Sequence, residues 1–186
     1  MGEQDSQPGV MATVTLDPQG SAPMEELVGF LRQTLDPEQA AIAAYNSPRQ
    51  LVIAGAAAEI DRLLVLLRDP GAPMGVSTRL MPGVQCAFHS PLMREAARQF
   101  ATQAAPLLAA IEKAHDAASP HPAVISSVTA QPVRIKELRS ILVRQIEAPV
   151  DWWGAIRHAR DRLGITEWVP LGPGSVMKTL LADCIP

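Results

Sequence analysis

The sequence predicts a mixed α/β chain in two parts. From residue 10 to residue 82, apolar residues switch between a period of two and a period near 3.6, in the order strand–helix–strand–strand–helix–strand. Beyond residue 82, long helical patterns alternate with short apolar runs, as in parallel α/β architecture. With 186 residues, 47% of them hydrophobic, the chain is long enough to bury a real core.

Met1 to Gly9 is polar and has no apolar run, which predicts a disordered lead (1–9) and argues against a signal peptide. Val10 to Leu16 reads as a strand ended by the turn formers Asp17, Pro18, Gln19 and Gly20. Pro23 to Leu35 reads as a helix, with Met24, Leu27, Val28 and Leu31 on one face. Ala40–Tyr45 and Gln50–Ala54 read as strands joined through Asn46-Ser47-Pro48. Ala56 to Arg68 is a strongly apolar helix, and Gly75 to Leu80 a fourth strand. This βαββαβ order is the ferredoxin-like, split-βαβ pattern, and residues 10–82 are expected to form a subdomain able to fold alone.

Residues 83–186 follow another plan. Met93, Ala97, Phe100, Ala104, Leu107, Leu108 and Ile111 recur at helical spacing, predicting a helix from Pro91 to about Asp116. A Pro- and Ser-rich loop, 117–122, precedes a short apolar strand over Ala123–Val128. Helices follow over Arg134–Ile146 and Asp151–Leu163, then a strand over Ile165–Val169 and a last helix over Ser175–Ala182. Trp152 and Trp153 are expected to anchor a helix in the core, and Cys184 to be a small buried hydrophobe. Two strands do not make a stable sheet. This part is therefore expected to expose apolar faces unless another polypeptide covers them.

The stretch Cys86-Ala87-Phe88-His89-Ser90-Pro91-Leu92-Met93 carries the most chemical information. Ser90 is a good N-cap and Pro91 suits the first helical position, where its missing N–H is not needed. His89 then sits on a short, rigid entry to a long helix, a good place for a base that points into a cleft.

This stretch resembles the histidine motif of the malonyl-CoA:acyl-carrier-protein transacylases and the acyltransferase domains of polyketide and fatty-acid synthases. Four other stretches agree in order and spacing. Gly9-Val10-Met11-Ala12 is similar to the opening of that family's small subdomain, and Tyr45 to Gly55 (YNSPRQLVIAG) to its NSPxQxVI(A/S)G segment. Leu142-Val143-Arg144-Gln145-Ile146 with Pro149-Val150-Asp151-Trp152 is similar to its L-x-x-Q…P-V-x-W segment. Leu171-Gly172-Pro173-Gly174 is similar to its E-L-G-P-G. The resemblance runs from residue 9 to residue 181 and implies that 83–186 is the C-terminal part of an α/β-hydrolase-like acyltransferase domain.

The resemblance implies roles. His89 takes the place of the base that deprotonates a nucleophilic serine and later the phosphopantetheine thiol, a task for a side chain that titrates near neutral pH. A backbone carbonyl near the glutamine of L-x-x-Q orients the other ring nitrogen, and Gln145 stands at that glutamine. Phe88 stands where x-A-F-H accompanies malonyl selection, its phenyl ring leaving no room for an α-branch. Asn46 matches a cleft-lining asparagine. Departures are Cys86 for a histidine, Ala44 and Ser127 for asparagines and Pro170 for a glutamate. The family's G-x-S-x-G nucleophile elbow does not occur in the 186 residues. The nearest string, Gly75-Val76-Ser77-Thr78-Arg79, lacks the last glycine and is followed by Leu80-Met81-Pro82, not by a helix.

Composition narrows the alternatives. A formal net charge of −3 with dispersed basic residues gives no reason to expect nucleic acid or an anionic membrane surface. Cys86 and Cys184 offer neither a disulfide framework nor metal spacing, and His115, His121 and His158 show no ligand spacing, so no metal is expected. The natural compartment is the reducing cytoplasm. Gly172 to Thr179 resembles a phosphate-binding loop, but Met177 stands where the second glycine is needed.

The expectation is a protein of this acyltransferase family that carries the histidine base without the serine half and acts with a complementary chain in fatty-acid or polyketide synthesis. Malonyl-CoA and a phosphopantetheinyl acyl carrier protein are the expected substrates, with no bound cofactor. The alternatives are a non-catalytic module docking a carrier protein or synthase, and a truncated reading frame.

Overall fold

The computed structural model describes residues 9–20, 22–69, 74–114, 122–172 and 174–185. Most of the expected lead, most of the loop 117–122, and His115 and His121 lie outside them.

The first part follows the expected order. Strand β1 (Gly9–Leu16) leads through the Asp17–Gly20 turn to helix α1 (Met24–Thr34). Strands β2 (Ala40–Ser47) and β3 (Gln50–Ala56) form a hairpin, helix α2 (Ala57–Arg68) follows, and β4 (Val76–Leu80) completes the set. The strands lie in the order β4-β1-β3-β2, every neighbouring pair antiparallel. A fifth strand, β5 (Val150–Asp151), pairs in parallel with β2 at Ala44 and Tyr45, making a five-stranded mixed sheet.

The strand period of two sorts side chains onto two faces. Ala12, Val14 and Leu16 of β1 and Leu51 and Ile53 of β3 pack with Leu27 and Leu31 of α1 and Ile60, Leu63, Leu64 and Leu67 of α2. This cluster is the main core. The intervening residues Met11, Val52 and Ala54, with Ala43 and Ala44 of β2, form a smaller cluster that includes Ala87. The sheet thus carries two helices on one face and, on the other, the loop that leads to His89.

Beyond it, a 3-10 turn over Pro91–Met93 runs into α3 (Arg94–Ala114). Another, over Ile135–Glu137, leads to α4 (Leu138–Glu147), and α5 (Trp152–Leu163) and α6 (Val176–Cys184) follow. Two expectations fail. Ala123–Val128 is not a strand: Val133 N–H donates to the Val124 carbonyl (2.8 Å), Ser126 N–H donates to that of Gln131 (2.9 Å), and only an isolated bridge, Ile125 with Pro132, forms. Ile165–Val169 is not a strand either. A strand is defined by a partner, and among the described residues neither segment has one beyond that bridge. The expected parallel sheet is therefore missing, and Val169 and Leu171 are 81% and 87% exposed.

Candidate active site

The chain enters the site from the sheet. Ala87 is buried on the second face. It comes so close to β1 that a Cβ at Gly9 would overlap the Ala87 backbone nitrogen and lie 2.9 Å from the Ala87 Cβ. Only glycine at position 9 allows this approach. Two residues later His89 has φ of 57°, in the left-handed region. Histidine visits that region more readily than most residues, yet the conformation needs support.

The support comes from three sides. Ser90 is fully buried; its hydroxyl donates to the Ala87 carbonyl (2.7 Å) and accepts from Leu92 N–H (3.3 Å), capping the turn opened by Pro91. The His89 N–H donates to the Ile146 carbonyl (3.3 Å). The ring Nδ1 lies 3.1 Å from the Ala148 carbonyl oxygen. Both acceptors belong to the C-terminal end of α4, where carbonyls lack partners within the helix. A carbonyl only accepts, so Nδ1 carries the hydrogen, and in the neutral ring Nε2 keeps its lone pair.

The acceptor is itself anchored. Ala148 N–H closes α4 onto the Arg144 carbonyl (2.7 Å). Two residues on, Val150 and Asp151 join the sheet, where Asp151 N–H donates to the Ser127 carbonyl (2.6 Å). The Asp151 carboxylate then caps α5 through Gly154 N–H (2.8 Å). His89 is thus tied to the sheet through Ala87 and again through β5.

The other expected residues sit differently. Gln145 is exposed on α4, and the His89 ring donates to the carbonyl of Ala148, three residues on. Phe88 is 48% exposed. Asn46 is half-buried near the end of β2; its amide donates to Gln50 Oε1 (3.0 Å), and Gln50 in turn donates to Thr15 (3.2 Å). The Asn46 carbonyl accepts from the Cys184 thiol (3.3 Å), so this residue links the hairpin to α6. Ala148 was not named from the sequence, because a backbone acceptor leaves no side-chain signature; the proximity of L-x-x-Q was the available signal.

A cavity of about 500 Å³ opens among Ala123–Ser127, Trp168–Leu171, α5 and α6. The Trp152 indole N–H beside it is buried without an acceptor among the described residues.

No family model matches the chain. It is 37% identical over 145 residues to the polyketide biosynthesis protein ThaF of Burkholderia thailandensis, covering 78% of this chain and 11% of that protein. It is 30% identical over 159 residues to the malonyl CoA-acyl carrier protein transacylase of Haemophilus influenzae, covering 84% of this chain and 46% of that one. The crystal structure of the Burkholderia pseudomallei transacylase superposes with a TM-score of 0.72 at 30% identity, covering 96% of this chain and 57% of that chain. The chain spans about half the length of these transacylases and a smaller share of the polyketide protein. The histidine turn, the sheet that holds it and these similarities together place the chain in the malonyl-CoA:acyl-carrier-protein transacylase and polyketide synthase acyltransferase family, of which it represents part of the domain.

Proposed function

We infer that this chain supplies the general base of malonyl transfer from CoA to a phosphopantetheinyl acyl carrier protein, working with a polypeptide that supplies the serine nucleophile. The observation that carries this is the His89 geometry: a ring fixed by the Ala148 carbonyl through Nδ1, with the Nε2 lone pair left over. In this scheme Nε2 accepts the serine proton as the serine oxygen attacks the malonyl thioester, and returns it to the departing CoA thiolate. The carrier-protein thiol then gives its proton to Nε2 and attacks the malonyl ester; the serine recovers the proton. Gln145 would act through the local backbone, Phe88 would limit the acyl branch, and Asn46 would order the hairpin beside the cleft. The scheme treats residues 10–82 as the small subdomain and 83–186 as part of the large one.

A second reading, a module that docks a carrier protein or synthase without catalysis, is favoured by one observation. G-x-S-x-G does not occur in the 186 residues.

Reconstitution separates the two. The chain alone, incubated with malonyl-CoA, is expected to gain no stoichiometric, hydroxylamine-sensitive malonyl adduct by intact mass. Co-expressed with the portion of the Haemophilus influenzae transacylase outside its matched region, it is expected to transfer malonyl to a carrier protein. His89→Ala then removes roughly 10²–10⁴-fold of the rate, the usual contribution of a positioned base. Transfer at the unmutated rate by the His89→Ala pair rejects the catalytic reading.

A further inference from the structure

We propose that Asp183 and Cys184, at the C-terminal end of α6, are positioning residues for Asn46: they hold a bulge in β2 that fixes the orientation of the Asn46 amide. Its bearing on catalysis rests on the reading above, in which Asn46 orders the hairpin beside the cleft.

The hairpin does not fix its own corner. Tyr45 pairs with Leu51 and Ser47 with Gln50, so β2 advances two residues while β3 advances one, and Asn46 is the extra residue. Such a residue disrupts the ladder locally, and bulges beside sites serve to re-aim a side chain. The turn itself is Pro48-Arg49. The two-residue turns that match the twist of a hairpin need a left-handed φ, and neither residue has one. The geometry of this corner is therefore set from outside it.

Helix α6 supplies what is missing. The Cys184 thiol, 3% exposed, donates to the Asn46 carbonyl (3.3 Å). Ser47 is 1% exposed, and its hydroxyl accepts from Arg49 N–H (3.2 Å). A buried hydroxyl also needs an acceptor for its own hydrogen, and it donates to the Asp183 carboxylate (3.5 Å). The same carboxylate lies 3.7 Å from the Arg49 guanidinium. Residues 46, 47 and 49 are thus held by two consecutive residues of one helix. With that backbone fixed, the Asn46 side-chain nitrogen reaches Gln50, which in turn reaches Thr15 on β1. Asn46 Oδ1 is left without a hydrogen-bond donor among the described residues, a free acceptor held in one direction. Among the described residues α6 contributes nothing to the main core, so cutting this latch leaves the packing of α1 and α2 on the sheet intact.

Asn46 is the only asparagine among the 186 residues, so the full chain labelled at asparagine nitrogen gives one backbone and one side-chain amide to follow by NMR. Cys184→Ala and Asp183→Ala should each shift these signals and speed water exchange of the side-chain amide by about 5-fold, the scale of one net hydrogen bond. Cys184→Ser keeps a donor and Asp183→Asn keeps an acceptor for Ser47, so each should restore most of the effect. Leu107→Asp, on α3 and 65% exposed, should change nothing. Unmoved Asn46 signals in both alanine variants overturn the proposal. So does a change in them that comes with equally faster exchange across α1 and α2, which would mark a loss of stability alone. The same variants in the reconstituted pair separate this proposal from the catalytic reading. Moved signals with unchanged malonyl transfer keep the latch and remove Asn46 from the cleft; lost transfer with unmoved signals overturns the latch. A pair that transfers no malonyl even without substitutions rejects the catalytic reading, and the Asn46 signals of the free chain still decide the latch.

Discussion

His89 shows how one residue can be held almost wholly by main-chain acceptors. Its left-handed φ, its N–H and its ring are fixed by main-chain carbonyls, with the Ser90 hydroxyl locking the turn. The motif around it was legible in the sequence because capping chemistry is local; Ala148 was not, because any residue carries a carbonyl. Phe88 lies in the same turn but half in solvent, so changing it should not disturb the core. In the reconstituted pair, Phe88→Ser is expected to raise methylmalonyl use relative to malonyl by roughly 10–200-fold, the range for one methyl in a pocket. Competition between the two thioesters measures it, and an unchanged ratio removes Phe88 from selection. Cys184 makes a separate prediction. Burial, and then the Asp183 carboxylate beside it, push its thiol up to about 11. Between about pH 9 and about pH 11 the unfolded thiol ionises while the native one stays protonated, so this contribution to stability is full below that window and lost as pH rises through it. Urea midpoints at about pH 8 and about pH 10.5 should fall further for the unaltered chain than for Cys184→Ala.

At the level of elements, the strands that sequence patterns located are those whose partners lie close along the chain. β1 to β4 pair within some seventy residues, and each alternation is answered by a neighbour that buries it. The two later segments are short runs of strand-forming composition with no answering strand among the described residues, and pattern alone cannot distinguish the cases. β5 was missed for the opposite reason: two residues have no period, and only its parallel pairing with β2 makes it a strand. This short element joins the site to the sheet, and its Asp151 also caps α5. Asp151→Ala is expected to cost about 1 kcal/mol in urea unfolding, the usual value of an N-cap. Gly154→Ala should also destabilise, although alanine ordinarily improves a helix by about 1 kcal/mol. A Cβ there would overlap the capping carboxylate. A rise in stability for Gly154→Ala would mean that Asp151 does not hold this cap.

As a whole, the molecule is consolidated unevenly. Among the described residues its largest fully buried apolar side chains, Leu27, Leu31, Leu51, Ile53, Ile60, Leu63 and Val14, all belong to the β1–β4 region. Buried apolar residues beyond β4, such as Leu108, Ile141 and Ile156, are spread thinly over the helices and do not extend the main core. Hydrogen exchange in the free chain should therefore be slowest in the strands and helices of residues 10–82 and fastest in 164–171. Uniform strong protection in a verified monomer would contradict that gradient.

The exposed segment around Val169 and Leu171 has a consequence for the protein's life in a cell. An extended apolar stretch with a free backbone is what chaperones and proteases bind. While that stretch stays open the chain is a substrate for both, and any polypeptide that covers it shields the chain. Its abundance would then follow how often that stretch is covered, and faster synthesis would add little while it stays bare.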